Sequence, residues 1–179
     1  MKLPVPSAIQ KIYGILTFSL GADVLPRSRI LLAICLLAFT GVAFLFQGTF
    51  FPPARAAASG IGAAVLLSAV AAVWAQISGY RERLVQTLTA LALGGAIVIF
   101  ARVLLEFLIF IAPIFAELPD INVRELAAFL LFPLYVWNVY VYAFLFRRSY
   151  RASVVMAFAI SIAVVLGVYF TVPLAFRSI

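Results

Sequence analysis

Five apolar runs fill most of the chain, and short polar stretches separate them. A helix needs about 20 mostly apolar residues to cross a hydrocarbon core about 30 Å thick. On that rule the runs at 30–46, 56–78, 84–110, 126–146 and 153–171 are predicted transmembrane helices. The predicted fold class is all-α: a polytopic bundle of about five spans over 30–179, preceded by a lead-in over 1–29. Turn signals stand between the runs, at Gln47-Gly48 with Pro52-Pro53, at Gly79–Arg83, at Glu117–Asp120 and at Arg147–Arg151. The loops are short, so no soluble domain is expected to hold a nucleotide or a large substrate.

The lead-in has a different pattern. Pro4, Pro6, Gln10 and Lys11 interrupt any apolar stretch before Ile12, so it does not read as a signal peptide. Ser7 is placed to cap a short helix running to about Leu20. Ile9, Ile12, Tyr13 and Leu16 follow helical spacing, and Gln10 and Lys11 lie off that stripe. The segment is too short and too polar to span, and is expected to lie in the membrane interface.

Charge sets an orientation. Of thirteen Lys and Arg residues, nine fall in the lead-in and in the second and fourth connections: Lys2, Lys11, Arg27, Arg29, Arg81, Arg83, Arg147, Arg148 and Arg151. Three lie on the other side, at Arg55, Arg124 and Arg177, and Arg102 lies within span three. The positive-inside rule then predicts a cytoplasmic N-terminus and an external C-terminus. It puts Glu117, Asp120 and Glu125 outside. Composition agrees with a membrane class: 66% of residues are hydrophobic, 11% are charged and mean hydropathy is +1.21. The net charge of +7 would suggest nucleic acid in a soluble protein. Here the basic residues flank apolar runs, so Arg27, Arg29, Arg81, Arg83, Arg147, Arg148 and Arg151 read as topology determinants and contacts to anionic lipid headgroups. No nucleic-acid partner is expected.

Little catalytic chemistry is available. The chain has no His, which removes the usual general base and the commonest metal ligand. Its one Cys, Cys35, sits in an apolar run and reads as a packing residue. Ser and Thr are plentiful, but none has a convincing base beside it in sequence. No enzyme activity, cofactor or metal is expected.

The remaining candidates are polar or small residues within the spans. Arg102 and Glu106 stand four apart on one helix face and can pair. Counted from Val85, Arg102 is 17 residues along, about 26 Å at about 1.5 Å per residue. That depth suits a pair that snorkels to the far interface; a bridge to another span or a transport site are the alternatives. Asn138 falls near mid-membrane and needs a partner such as Ser68, Gln76, Gln86 or a tyrosine hydroxyl. Tyr135, Asn138 and Tyr142 share a face, and Pro133 can kink the helix just before them. That face reads as a polar clamp between helices, or as a cleft for a small ligand or lipid headgroup. Gly60, Ala64, Ser68, Ala72 and Gln76 form a four-residue ladder in span two, and Ser153, Ala157 and Ser161 repeat it in span five. Small residues at this spacing let helices approach closely, within the bundle or against a partner. Gly94-Gly95 reads as a close-packing point or a bend.

The short lead-in, the five spans and the tiny loops, with Asp23–Ser28 before span one and Gln86–Leu91 opening span three, give a resemblance to a known group. The chain resembles the Yip1-like small polytopic membrane proteins and, more narrowly, five-span inner-membrane proteins of proteobacteria. It lacks the acidic and glycine-tyrosine motifs of the better-known Yip proteins. The resemblance implies an integral membrane adaptor or organiser and supplies no catalytic residue. The expected function is a non-catalytic accessory or scaffold subunit of a larger inner-membrane complex, with other integral membrane proteins or itself as partners. The alternatives are a small homo-oligomeric transporter or channel, and a lipid-binding membrane protein.

Overall fold

The computed structural model describes the backbone of residues 8–116 and 123–176 and the side chains of 9–109 and 129–176. Among the described residues all regular structure is helical. A short helix α1 (Ala8–Leu16) is followed by α2 (Arg29–Gly48), α3 (Pro53–Ile77), α4 (Leu84–Ala116), α5 (Val123–Tyr150) and α6 (Val154–Leu166). A π-helical stretch, Gly167–Thr171, continues α6 into α7 (Val172–Ala175). Five of these helical segments are long and apolar enough to cross a membrane. The expected cap Ser7, and Lys2, Glu117, Asp120 and Arg177, lie outside the described residues, as do the side chains of Arg124 and Glu125.

Local chemistry explains the element ends. The Ser28 hydroxyl accepts from the Leu31 amide at 3.2 Å to start α2, and Ser153 accepts from the Met156 amide at 3.3 Å to start α6. Pro53 occupies the first turn of α3, where its missing N–H costs nothing. Gly79 has φ +76°, a left-handed conformation that suits glycine, and it turns the chain from α3 towards α4. The second basic turn is tighter than the sequence suggests. Arg147 and Arg148 lie in the last turn of α5, where the helix dipole favours cations, and Arg151 at φ +52° redirects the chain. Pro133 lies inside α5. Span three is longer than expected, running to Ala116.

Helix α4 is the centre of the bundle and packs against α2, α5 and α3, while α6 packs on α5. In the most apolar window of the third span 56% of residues are buried, against 28–39% in the other four. Two glycines permit this closeness. A Cβ on Gly60 would lie 2.9 Å from the Thr40 carbonyl oxygen of α2. A Cβ on Gly95 would collide with the Tyr142 hydroxyl and come within 2.7 Å of the Phe39 ring. At the far end the Arg55 guanidinium donates to the Pro173 carbonyl at 3.0 Å, tying the start of α3 to α7.

Helix α1 ends at Leu16, four residues earlier than expected. The amides of Phe18 and Ser19 bond back to the Ile15 and Gly14 carbonyls, and Phe18 takes φ +62°. This is the Schellman pattern with phenylalanine at the left-handed position. The helix also docks on α5. The Trp137 indole donates to the Leu16 carbonyl at 3.2 Å. Trp137 is eleven residues before Arg148, about 16 Å along α5. Ile15 is 1% exposed and faces the bundle, whereas Ile9 and Tyr13 of the apolar stripe are 78% and 68% exposed.

The lead-in, the α3–α4 turn and the α5–α6 turn meet on one face of the bundle. The Arg83 guanidinium donates to the Ser149 carbonyl at 3.2 Å and that of Arg148 to the Ser19 carbonyl at 3.5 Å. This face, called the N-terminal face below, gathers the basic segments.

Candidate functional site

The charged pair of the third span sits at the junction of four helical segments. In α4 the Arg102 Nε donates to Glu106 Oε1 at 2.9 Å, and the two side chains are only 13% and 22% exposed. The guanidinium carbon stands 4.0 Å from the Phe46 ring centroid (α2), 4.8 Å from Tyr135 (α5) and 5.5 Å from Tyr169 in the π-helical stretch. Tyr135 and Tyr169 meet edge to face at 4.9 Å, and Phe46 meets Tyr169 at 6.4 Å. The pair therefore packs against the bundle, at the level of the last turn of α2. The physical reason is the ring cage: aromatic faces attract a cation by about 0.5–2 kcal/mol each, more when water is excluded. With Glu106 as counter-ion, the charge is satisfied without reaching water.

Asn138 extends the cluster by one helix turn. It is 2% exposed and donates from Nδ2 to the Tyr169 hydroxyl at 3.2 Å. A tyrosine hydroxyl is thus its partner, and Ser68, Gln76 and Gln86 are not. Its Oδ1 is buried without a hydrogen-bond partner. Arg102, Glu106 and Asn138 are brought together through Tyr169. Gln76 is exposed on α3, and Gln86 bonds to the lead-in on the N-terminal face, with Nε2 2.6 Å from the Leu25 carbonyl. Phe46 and Tyr169 were missed by sequence reasoning. Aromatic residues near span ends also serve the interfacial belt, so their presence alone does not reveal a cage.

The small-residue ladders divide between tasks. Gly60 packs on α2, while Ala64 and Ser68 line a wide groove between α2 and α3, and Ala72 is half-buried. The Ser68 hydroxyl donates to the Ala64 carbonyl at 2.7 Å, so it presents no unmet donor. In the last span Ser153 caps the helix, and Ala157 and Ser161 are buried. The Ser161 hydroxyl donates to the Ala157 carbonyl at 2.7 Å.

The seven basic candidates also separate. Arg27, Arg83 and Arg148 line a cavity of about 300 Å³ on the N-terminal face. Arg27 and Arg148 are exposed, as are Arg29, Arg81 and Arg147, which lie outside the cavity lining, and the Arg151 guanidinium lies 5.8 Å from the Tyr80 ring centroid. Cys35 is buried. Among the described residues no group of three or more His, Cys, Asp and Glu could hold a metal ion.

Chemically, the internal cluster can hold a charge and orient hydroxyls. Its cation is neutralised and covered, which suits holding helices in register. Comparison of the chain with family models, with curated proteins and with solved structures finds no match.

Proposed function

We propose that the protein is a non-catalytic accessory or scaffold subunit of a larger complex in a bacterial inner membrane, with its N-terminus in the cytoplasm. The observation that carries this reading is the groove between α2 and α3. It has a volume of about 620 Å³; Thr40, Ala64, Ser68 and Ala69 supply small side chains, and Leu36, Leu37, Ile61 and Val65 supply apolar bulk. Lipid tails are as apolar as leucine, so helices associate in a bilayer through close packing over small residues. A groove lined in this way offers that packing to the span of another protein. Leu37, Ile61 and Val65 are 71%, 57% and 61% exposed, so they stand ready as rims.

The test is a tagged pull-down from native membranes in mild detergent, with every co-purifying protein identified. A defined partner set at fixed stoichiometry is expected. Ala64→Phe and Ser68→Phe should fill the groove, leave the protein abundant and release that partner. Recovery of the protein alone, or only with itself, would sink the reading.

A small homo-oligomeric transporter or channel is the second reading, and one observation favours it. The partnerless Asn138 Oδ1, linked to Arg102 through Tyr169, is an acceptor that a passing cation or water could use. Substitution of Asn138 that abolishes flux while leaving protein level unchanged would promote this reading over the first.

A further inference from the structure

The cavity on the N-terminal face has the chemistry of a phosphate site. Three arginines reach it from three elements: Arg27 before α2, Arg83 in the turn before α4, and Arg148 at the end of α5. Each is held in place by one bond from its fork. Arg27 Nε donates to Gln86 Oε1 at 3.2 Å, Arg83 Nη1 to the Ser149 carbonyl at 3.2 Å, and Arg148 Nη1 to the Ser19 carbonyl at 3.5 Å. A guanidinium has five N–H groups, so each fork keeps donors for a further acceptor. Two of the tethers end on backbone carbonyls, which position the fork without neutralising it. One carboxylate shares the cavity: Asp23 Oδ1 lies 3.9 Å from Arg148 Nε and is largely exposed. Three cations and one anion leave a local charge of about +2.

A second observation is independent of charge. Thr87, in the first turn of α4, lines the same cavity, is 0% exposed, and its hydroxyl has no partner besides the Tyr150 hydroxyl. The Tyr150 hydroxyl lies beside it, equally buried, and the two hydroxyls pair with each other and with nothing else. Only one O–H of such a pair can donate to the other, so one buried donor is left without an acceptor, which is uncommon and calls for an explanation such as a ligand.

We propose that Arg27, Arg83, Arg148 and Thr87 form a specific site for a phosphomonoester. Arginine forks match phosphate oxygens bidentately. A phosphomonoester carries about −1.5 to −2 charges at neutral pH, which matches the excess of the cavity better than a phosphodiester with one. A cavity of about 300 Å³ is at the small end of ligand sites and suits one such group with a short arm. Phosphatidic acid, whose headgroup lies where these arginines flank the spans, and a free soluble phosphate share this chemistry. The inference goes beyond the accessory role and does not depend on the α2–α3 groove.

The experiment uses the purified full chain in phosphatidylcholine vesicles doped with phosphatidic acid or, separately, with phosphatidylglycerol. Native mass spectrometry of the protein released from them counts retained lipid. Saturable retention of one phosphatidic acid per chain is expected, tighter than phosphatidylglycerol. Arg83→Gln and Arg148→Gln should each weaken it about ten-fold, the size of a lost charge-assisted hydrogen bond. Arg29→Gln and Arg81→Gln, outside the cavity, should leave it unchanged. Thr87→Val removes only the hydroxyl and should weaken retention several-fold while the protein stays folded with a thermal midpoint a few degrees below the parent at most, which separates ligand loss from misfolding. Calorimetry with inorganic phosphate on the detergent-solubilised chain distinguishes the sources. Binding of inorganic phosphate that Arg83→Gln abolishes would assign the site to a soluble phosphate; retention of phosphatidic acid alone would assign it to the lipid. Equal retention of the two lipids without phosphate binding, or equal losses in Arg29→Gln and Arg83→Gln, would reduce the cavity to a general basic surface and overturn the proposal.

Discussion

Arginine appears in two opposite settings in this protein. Inside the bundle, Arg102 is closed off by Glu106 and three aromatic rings, and all four of these partners come from the chain itself. On the N-terminal face, Arg27, Arg83 and Arg148 are each fixed by one bond, and their combined charge exceeds that of the single carboxylate among them. The first arrangement consumes its cation in holding helices together. The second keeps its cations oriented and available. Solvent exposure drives the difference: a charge in hydrocarbon must be paired at once, whereas one at the membrane edge can wait for a ligand.

Substitutions test that contrast, beginning with the strongest effect. Glu106→Leu strands a largely covered guanidinium and should lower stability by about 3 kcal/mol, the lower end for breaking a buried pair because both side chains keep some exposure. The double variant Arg102→Met with Glu106→Leu should recover most of that loss, since replacing both charges by apolar groups is often neutral. Unfolding in mixed micelles measures both, and equal stability of Glu106→Leu and the parent would mean that the pair is already hydrated. Gly95→Ala drives a methyl into Tyr142 and Phe39 and should cost about 1–3 kcal/mol by overpacking, read in the same assay. Asn138→Leu loses one interhelical hydrogen bond, worth about 0.6 kcal/mol on average in a membrane protein, and also removes the partnerless Oδ1. The two changes oppose each other, so its stability should stay within about 1 kcal/mol of the parent. Smallest of all, Arg27→Gln, Arg83→Gln and Arg148→Gln should each shift the stability of ligand-free protein by no more than about 0.5 kcal/mol, as for surface substitutions. A large loss there would make these arginines structural and erase the contrast with Arg102.

The spans were legible because their signal is local and repeated. Each of the five runs has a mean hydropathy well above that of a soluble helix, and no distant residue can change that. Their ends were less so: Arg147 and Arg148 read as loop but belong to α5, since cations suit the last turn of a helix. The candidate site was half legible. Arg102 and Glu106 are visible at once as charges four apart in an apolar run, and Asn138 as an amide in mid-span. Phe46 and Tyr169 were not, because aromatic residues near span ends also suit the interfacial belt, and Tyr169 further lies in a π-helical stretch that shifts the register of the last span. Nor did the stripe of α1 reveal its docking. Ile9 and Tyr13 face outward, and the inward contact falls on Ile15 and the Leu16 carbonyl.

By itself the sequence determined that the described helices exist, that five of them can cross a bilayer, and that basic residues concentrate in alternate connections. Those properties follow from transfer free energies summed over neighbouring residues, and they need no knowledge of packing. Only the tertiary structure decided which arginine is enclosed and which three converge. Arg27, Arg83 and Arg148 are far apart in the chain and meet only because α4 and α5 bring their ends to one face beside the lead-in. Such meetings depend on helix rotation and close approach at positions such as Gly60 and Gly95, where steric fit between distant segments, not local hydropathy, sets the outcome.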